Sequence, residues 1–65
     1  MKYLTSEDLT DLIRILADFR DRHYENAAKN KAEGIKARNL AWARIAERLL
    51  SAVSKEKNEM EKENV

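Results

Sequence analysis

The 65-residue sequence predicts an all-α fold, an antiparallel two-helix hairpin that dimerises into a four-helix bundle. Three observations point to the hairpin. Proline is absent, and the single glycine, Gly34, falls close to the midpoint. Both flanks of Gly34 are rich in Ala, Leu, Glu, Lys and Arg, which are strong helix formers. Within each flank, apolar residues recur at alternating steps of three and four, the spacing of a helix stripe.

The first helix, expected over about residues 5–31, has a well-marked start. Thr5 reads as the N-cap, its hydroxyl accepting from the Asp8 backbone N–H. Asp8 stands where its carboxylate can return a hydrogen bond to the cap, a capping box with Asp in place of Glu or Gln. Leu4 and Leu9 occupy the two positions of a hydrophobic staple. Glu7, Asp8 and Asp11 place negative charge at the positive end of the helix dipole. Leu9, Leu12, Leu16, Phe19 and His23 then form a coiled-coil-like seam that turns polar at Asn26 and Asn30. Asp18–Arg22 and Glu25–Lys29 are i,i+4 pairs in the favourable order, each contributing roughly 0.2–0.5 kcal/mol.

Lys29 and Lys31 suit a helix C-terminus, and Gly34 suits a left-handed residue just beyond it. Asn30 is a rival stop. The turn is expected over about residues 32–36, with an unbroken helix through Gly34 as the competing picture. The second helix, expected over about 37–54, carries Ile35, Arg38, Trp42, Ile45, Leu49 and Ala52 at the same spacing, flanked by Ala41, Ala46, Leu50 and Val53. Residues 1–54 thus form the hairpin, and 55–65 a charged helical extension or frayed tail in which only Met60 continues the apolar line.

Folding the chain at Gly34 sets a register. Tyr24 comes near Trp42, Phe19 lies among Ile45 and Leu49, Leu16 lies near Leu49 and Leu50, and Leu12 near Val53. Leu16 and Leu49 read as hairpin seam, so a charge at either should unfold the protein. The apolar arcs are wider than one neighbour can cover, since a helix touching a single partner needs only a narrow stripe. A lone hairpin is expected to leave Ile13, Ile15, Leu40 and Leu50 wet. Contiguous exposed apolar surface marks interaction sites. Ile13, Ile15, Phe19, Trp42, Ile45 and Leu50 are therefore the candidate partner or dimer interface.

Composition narrows the chemistry. So short a chain has a small core and needs a disulfide, a metal or a partner. Cysteine is absent, which removes disulfides and thiolate metal sites, and one histidine, His23, cannot build a multi-histidine zinc site. No cofactor is expected. No apolar run approaches the roughly 18 residues a membrane span requires. The acidic start lacks an apolar signal core, so a cytoplasmic location is expected. His23 reads as a partly buried seam residue near Trp42 or Tyr24 rather than a general base, which needs a partner and a pocket. Trp42 reads as core against Tyr24 or as an interface anchor. Tyr3 packs against Met60 or stands in solvent.

Lys and Arg number 13 against 12 Asp and Glu, so overall charge does not announce nucleic acid. Residues 29–48 are uneven, however. Lys29, Lys31, Lys36, Arg38, Arg44 and Arg48 face only Glu33 and Glu47, a candidate contact for an anionic partner. The stretch Ala41-Trp42-Ala43-Arg44-Ile45-Ala46-Glu47-Arg48-Leu49, after the acidic start Thr5-Ser6-Glu7-Asp8-Leu9, resembles the second helix of Myb/SANT-like DNA-binding domains. That family also carries a third, basic recognition helix, whereas residues 55–65 are nearly neutral and lack an apolar stripe to dock one.

The expected function is that of a small non-enzymatic regulatory or adaptor protein. It is expected to dimerise and to bind and modulate a larger intracellular protein, through its broad apolar face and the basic second helix. The alternative is a DNA- or RNA-binding helical protein that uses the basic residues of 29–48.

Overall fold

The computed structural model describes residues 3–63. Met1, Lys2, Asn64 and Val65, which belong to the expected hairpin start and charged tail, lie outside the described residues. Two helices make up the fold, α1 (Ser6–Lys29) and α2 (Glu33–Glu63), packed as a hairpin measuring 50 × 17 × 14 Å. The described residues include no strand.

The start of α1 follows from its sequence. The Asp8 amide donates to the Thr5 hydroxyl at 3.0 Å, and the Thr5 amide donates to the Asp8 carboxylate at 3.0 Å. Two amides with no intrahelical acceptor are thereby satisfied, which stabilises a helix by about 1 kcal/mol. Tyr3, just before the cap, stands in solvent.

The turn lies earlier than the glycine suggested. Asn30 is the C-cap, with extended backbone (φ −91°, ψ 133°). Its amide and its side-chain Nδ2 both donate to the Asn26 carbonyl, at 3.1 and 2.8 Å. Because the chain leaves the helix through an extended residue, no left-handed residue is needed. None of the described residues has positive φ. The turn is residues 30–32, not 32–36, and Gly34 sits in the first turn of α2, where the Lys36 amide donates to the Ala32 carbonyl at 3.0 Å.

Gly34 thus bears a backbone-entropy cost without a conformational reason. A Cβ built on it meets nothing within 4 Å. Gly34→Ala is therefore expected to stabilise the hairpin by about 0.5–1 kcal/mol, read as a rise in the thermal midpoint of the 222 nm dichroism. An unchanged or lower midpoint would count against a helical Gly34.

α2 runs unbroken to Glu63, so the charged segment after residue 54 is, over its described residues, the helical extension and not the frayed tail. At 1.5 Å per residue its 31 residues span about 46 Å against about 36 Å for the 24 of α1. The charged segment is its overhanging end, where Lys57 and Glu61 pair at 3.5 Å. No third helix follows among the described residues, so the Myb/SANT-like resemblance stops at two helices.

The fully buried core is small: Leu9, Ala27, Ala43, Ala46 and Val53. On α2 the residues turned towards α1 are Asn39, Ala43, Ala46, Leu50 and Val53, which are buried or half-buried. This stripe runs beside the expected one of Trp42, Ile45 and Leu49, one residue further along the helix. The reason is size. Helices that meet through alanine approach closely, and side chains as bulky as Phe19 and Trp42 cannot stand between them. On α1 the expected Leu9, Leu16 and His23 do turn inward, with Ala27 taking the place of Asn26.

Candidate functional site

The displaced large residues gather on one side of the hairpin. Ile15, Leu16 and Phe19 of α1 and Trp42, Ile45, Ala46 and Leu49 of α2 line an open, wholly apolar groove of ≈ 210 Å³. Ile15 is 63% exposed, Leu49 47% and Trp42 46%. Ile35, half-exposed, lies two turns before Trp42 on the same stripe. Four expected interface residues, Ile15, Phe19, Trp42 and Ile45, come together here. The other two, Ile13 and Leu50, do not. Both are half-buried: Leu50 lies on the stripe of α2 that faces α1, and helix geometry turns Ile13 away from Ile15, to the far side of the seam. The expectation of a wet Ile13, Leu40 and Leu50 is thus corrected: the hairpin covers each of them in part, and of that set Ile15 alone is exposed.

Leu49 is a groove residue that the sequence assigned to the hairpin seam. Two three-four stripes lie side by side on α2. The one with the larger side chains was read as the inner one, although the alanine-rich stripe was legible beside it.

Register explains the aromatic contacts. The shorter turn brings Phe19, not Tyr24, to Trp42, with ring centroids 6.3 Å apart and planes at 80°. This edge-to-face geometry suits two quadrupolar rings. Phe19 also meets His23, at a centroid distance of 4.2 Å. Across the hairpin, His23 Nδ1 is 2.7 Å from Asn39 Oδ1. Asn39 Nδ2 donates to the Ile35 carbonyl at 2.9 Å, which leaves Oδ1 as the acceptor and puts the proton on His23 Nδ1. His23 is therefore a hydrogen-bonded, half-buried side chain beside Phe19.

On the other side of the hairpin Tyr24 donates its hydroxyl to Glu47. Helical side chains lean towards their own N-terminus, so in an antiparallel pair these two long side chains lean towards each other. The bond to Glu47 lifts the Tyr24 hydroxyl above its ordinary titration range; desolvation adds to the rise, and Arg44 and Arg20 oppose it. A raised tyrosine contributes its bond below pH 10, the unfolded value, and loses it as pH climbs through the folded one.

The basic residues of 29–48 do not form one surface. Arg44 and Arg48 share a broad depression with Glu47 and Ser51 on the outer side of α2. Lys29 pairs with Glu25 at 2.7 Å, a contact that holds the Glu25 carboxyl below its usual range. Lys31 lies in the turn, and Arg38, one turn before Trp42, flanks the apolar groove. Lys36 stands exposed in the first turns of α2.

Among the described residues no three His, Asp or Glu side chains are grouped to hold a metal ion. No described helix is long and apolar enough to cross a membrane. No family model, curated protein or solved structure compared with the chain matches it.

Proposed function

We propose that this chain is a small, non-enzymatic regulatory or adaptor protein that acts in the cytoplasm by binding another polypeptide through the groove between Ile15–Phe19 and Trp42–Leu49. The observation that carries the reading is the gathering of exposed Ile15, Phe19, Trp42, Ile45 and Leu49 on one side of a hairpin whose own core needs none of them fully buried. Contiguous apolar surface of this kind marks a docking site. Its lining sets two aromatic side chains, Phe19 and Trp42, among the aliphatic Ile15, Leu16, Ile45, Ala46 and Leu49, and aromatic residues are enriched at interface centres. A helix or helix pair laid along the groove would complete a four-helix bundle, the arrangement in which hairpins share one core.

Ile15→Lys tests the reading. Ile15 touches solvent more than hairpin, so the variant is expected to keep the helical dichroism and lose about 1 kcal/mol of stability or less. It should weaken binding by tenfold or more, because it sets a charge in the apolar wall. Trp42, the only tryptophan, reports on occupancy directly, since its emission should move to the blue when the groove is filled. A wild-type protein whose Trp42 emission is insensitive to concentration and to every bound protein would overturn the proposal.

A further inference from the structure

We infer that the groove takes an α-helix of another protein whose apolar stripe ends in acidic residues, with those acids set against Arg22 and Arg38. The inference rests on the reading of the groove as a docking surface, and it names the class of partner.

The lining decides the backbone of the occupant. The groove is wholly apolar. An extended segment laid in it would bury amides and carbonyls with nothing to bond them. A helix satisfies those groups within itself and presents an apolar stripe at the spacing of the stripes it meets.

The rim decides the charge. Phe19 and Trp42 meet edge to face, so they stand at one level of the hairpin. Arg22 lies about 4.5 Å beyond Phe19 along α1, and Arg38 about 6 Å before Trp42 along α2, both towards the turn. One arginine on each helix thus stands at nearly the same level. Arg22 shares a surface depression with Ile15 and Phe19, and Arg38 continues the stripe of Trp42, Ile45 and Leu49. Both side chains are exposed. Among the described residues neither is held by an ion pair or a hydrogen bond, whereas Arg20 is taken by Asp21 and Lys29 by Glu25. Asp18 borders the same depression as Arg22 but does not pair with it.

The turn end of the groove is therefore bracketed by two unpaired guanidinium groups, each a planar fork of donors that fits a carboxylate. Their stems can lie along the apolar part of the occupant while their heads reach its acids. A nucleic-acid backbone fits this rim less well. Away from the turn, α1 carries Asp18 and Asp11 on that side, where a run of phosphates would meet like charge.

The probe is a pair of synthetic helical peptides without tryptophan, about four turns long, that share one leucine stripe. One carries two glutamates at an end of the stripe, and the other carries two lysines there. Trp42 emission reports occupancy, and helical dichroism checks the fold. At low salt the acidic peptide is expected to bind about tenfold more tightly than the basic one, a difference that shrinks as salt screens the exposed rim. Arg22→Glu combined with Arg38→Glu should reverse the preference and keep the dichroism of the free chain, since neither arginine bonds to the rest of the hairpin. Ile15→Gln, a neutral change in the lining, should weaken both peptides.

Equal binding of the two peptides, or a preference that survives the double charge reversal, would overturn the acidic partner and leave the groove standing. Binding indifferent to Ile15→Gln would put the peptides outside the groove and overturn the inference. A chain that takes neither peptide at millimolar concentration would overturn the helical occupant, while the groove keeps its own test in Trp42 and Ile15→Lys. Emission that moves with the concentration of the chain and ignores both peptides would replace the partner with a second copy. An oligothymidylate that binds more tightly than the acidic peptide would replace it with nucleic acid.

Discussion

Leu9→Ala is expected to lower the thermal midpoint by at least about 10 °C, and to leave part of the protein unfolded at 25 °C. Leu9 is 0% exposed and, with Val53, one of the two large side chains wholly inside the hairpin. Truncating a buried leucine costs about 2–5 kcal/mol, the transfer term plus the cavity left behind. A chain of this length has in all about 3–10 kcal/mol of stability. In a domain this small each kcal/mol moves the midpoint by about 4–8 °C. Leu49→Ala is the control. Leu49 is 47% exposed, so its truncation should cost the monomer much less than that of Leu9. Thermal melts followed at 222 nm, at a concentration low enough to keep the chain monomeric, check both. Equal losses at the two positions would mean that Leu49 lies in the hairpin seam, the place the sequence alone gave it.

Enlarging a buried alanine should also be damaging, by somewhat less than emptying a leucine. Ala43 is 0% exposed and lies on the stripe where α2 meets α1. A leucine there has no void to enter, so it must push the helices apart or leave its rotamer, at a cost of about 1–3 kcal/mol. Ala41→Leu, two residues earlier on the exposed side, adds the same atoms where there is room and at nearly the same helix propensity. The expected result is a lower urea midpoint for Ala43→Leu and one within about 0.5 kcal/mol of wild type for Ala41→Leu. Two variants with equal midpoints would show that the alanine stripe does not set the distance between the helices.

Ala43 also shows where reading the sequence met its limit. The periodicity of α2 is equally good for Arg38–Trp42–Ile45–Leu49 and for Asn39–Ala43–Ala46–Leu50–Val53. Hydrophobicity favours the first, because its side chains are larger. Only the distance between the axes separates the two. The same ambiguity split the candidate interface, placing Ile13 and Leu50 with Ile15 although Leu50 belongs to the stripe that faces α1 and Ile13 lies beyond the seam from Ile15. On α1 the inward residues were easier to read, because Leu9 and Leu16 are large on the facing side as well as apolar.

The turn was misplaced for a different reason. Gly34 is a strong signal for a left-handed residue, but this helix ends on Asn30, whose extended backbone and side-chain bond to Asn26 close it without one. The shift moved the register by about a turn. It therefore changed the partner of Trp42 from Tyr24 to Phe19 and freed Tyr24 to reach Glu47.

The sequence by itself determined that the chain is helical and where its first helix begins, favoured two helices folded back on one another over one unbroken helix, and held more apolar surface than one hairpin can cover. These are properties of neighbours along the chain: caps, propensities and a period of 3.6 residues, all read within a few turns. Only the tertiary structure decided which stripe faces inward, which large side chains remain outside, and that they converge on a single groove. Those outcomes depend on how closely two helices approach and in what register, and both are fixed by the volumes of residues far apart in sequence that meet only once the chain has folded.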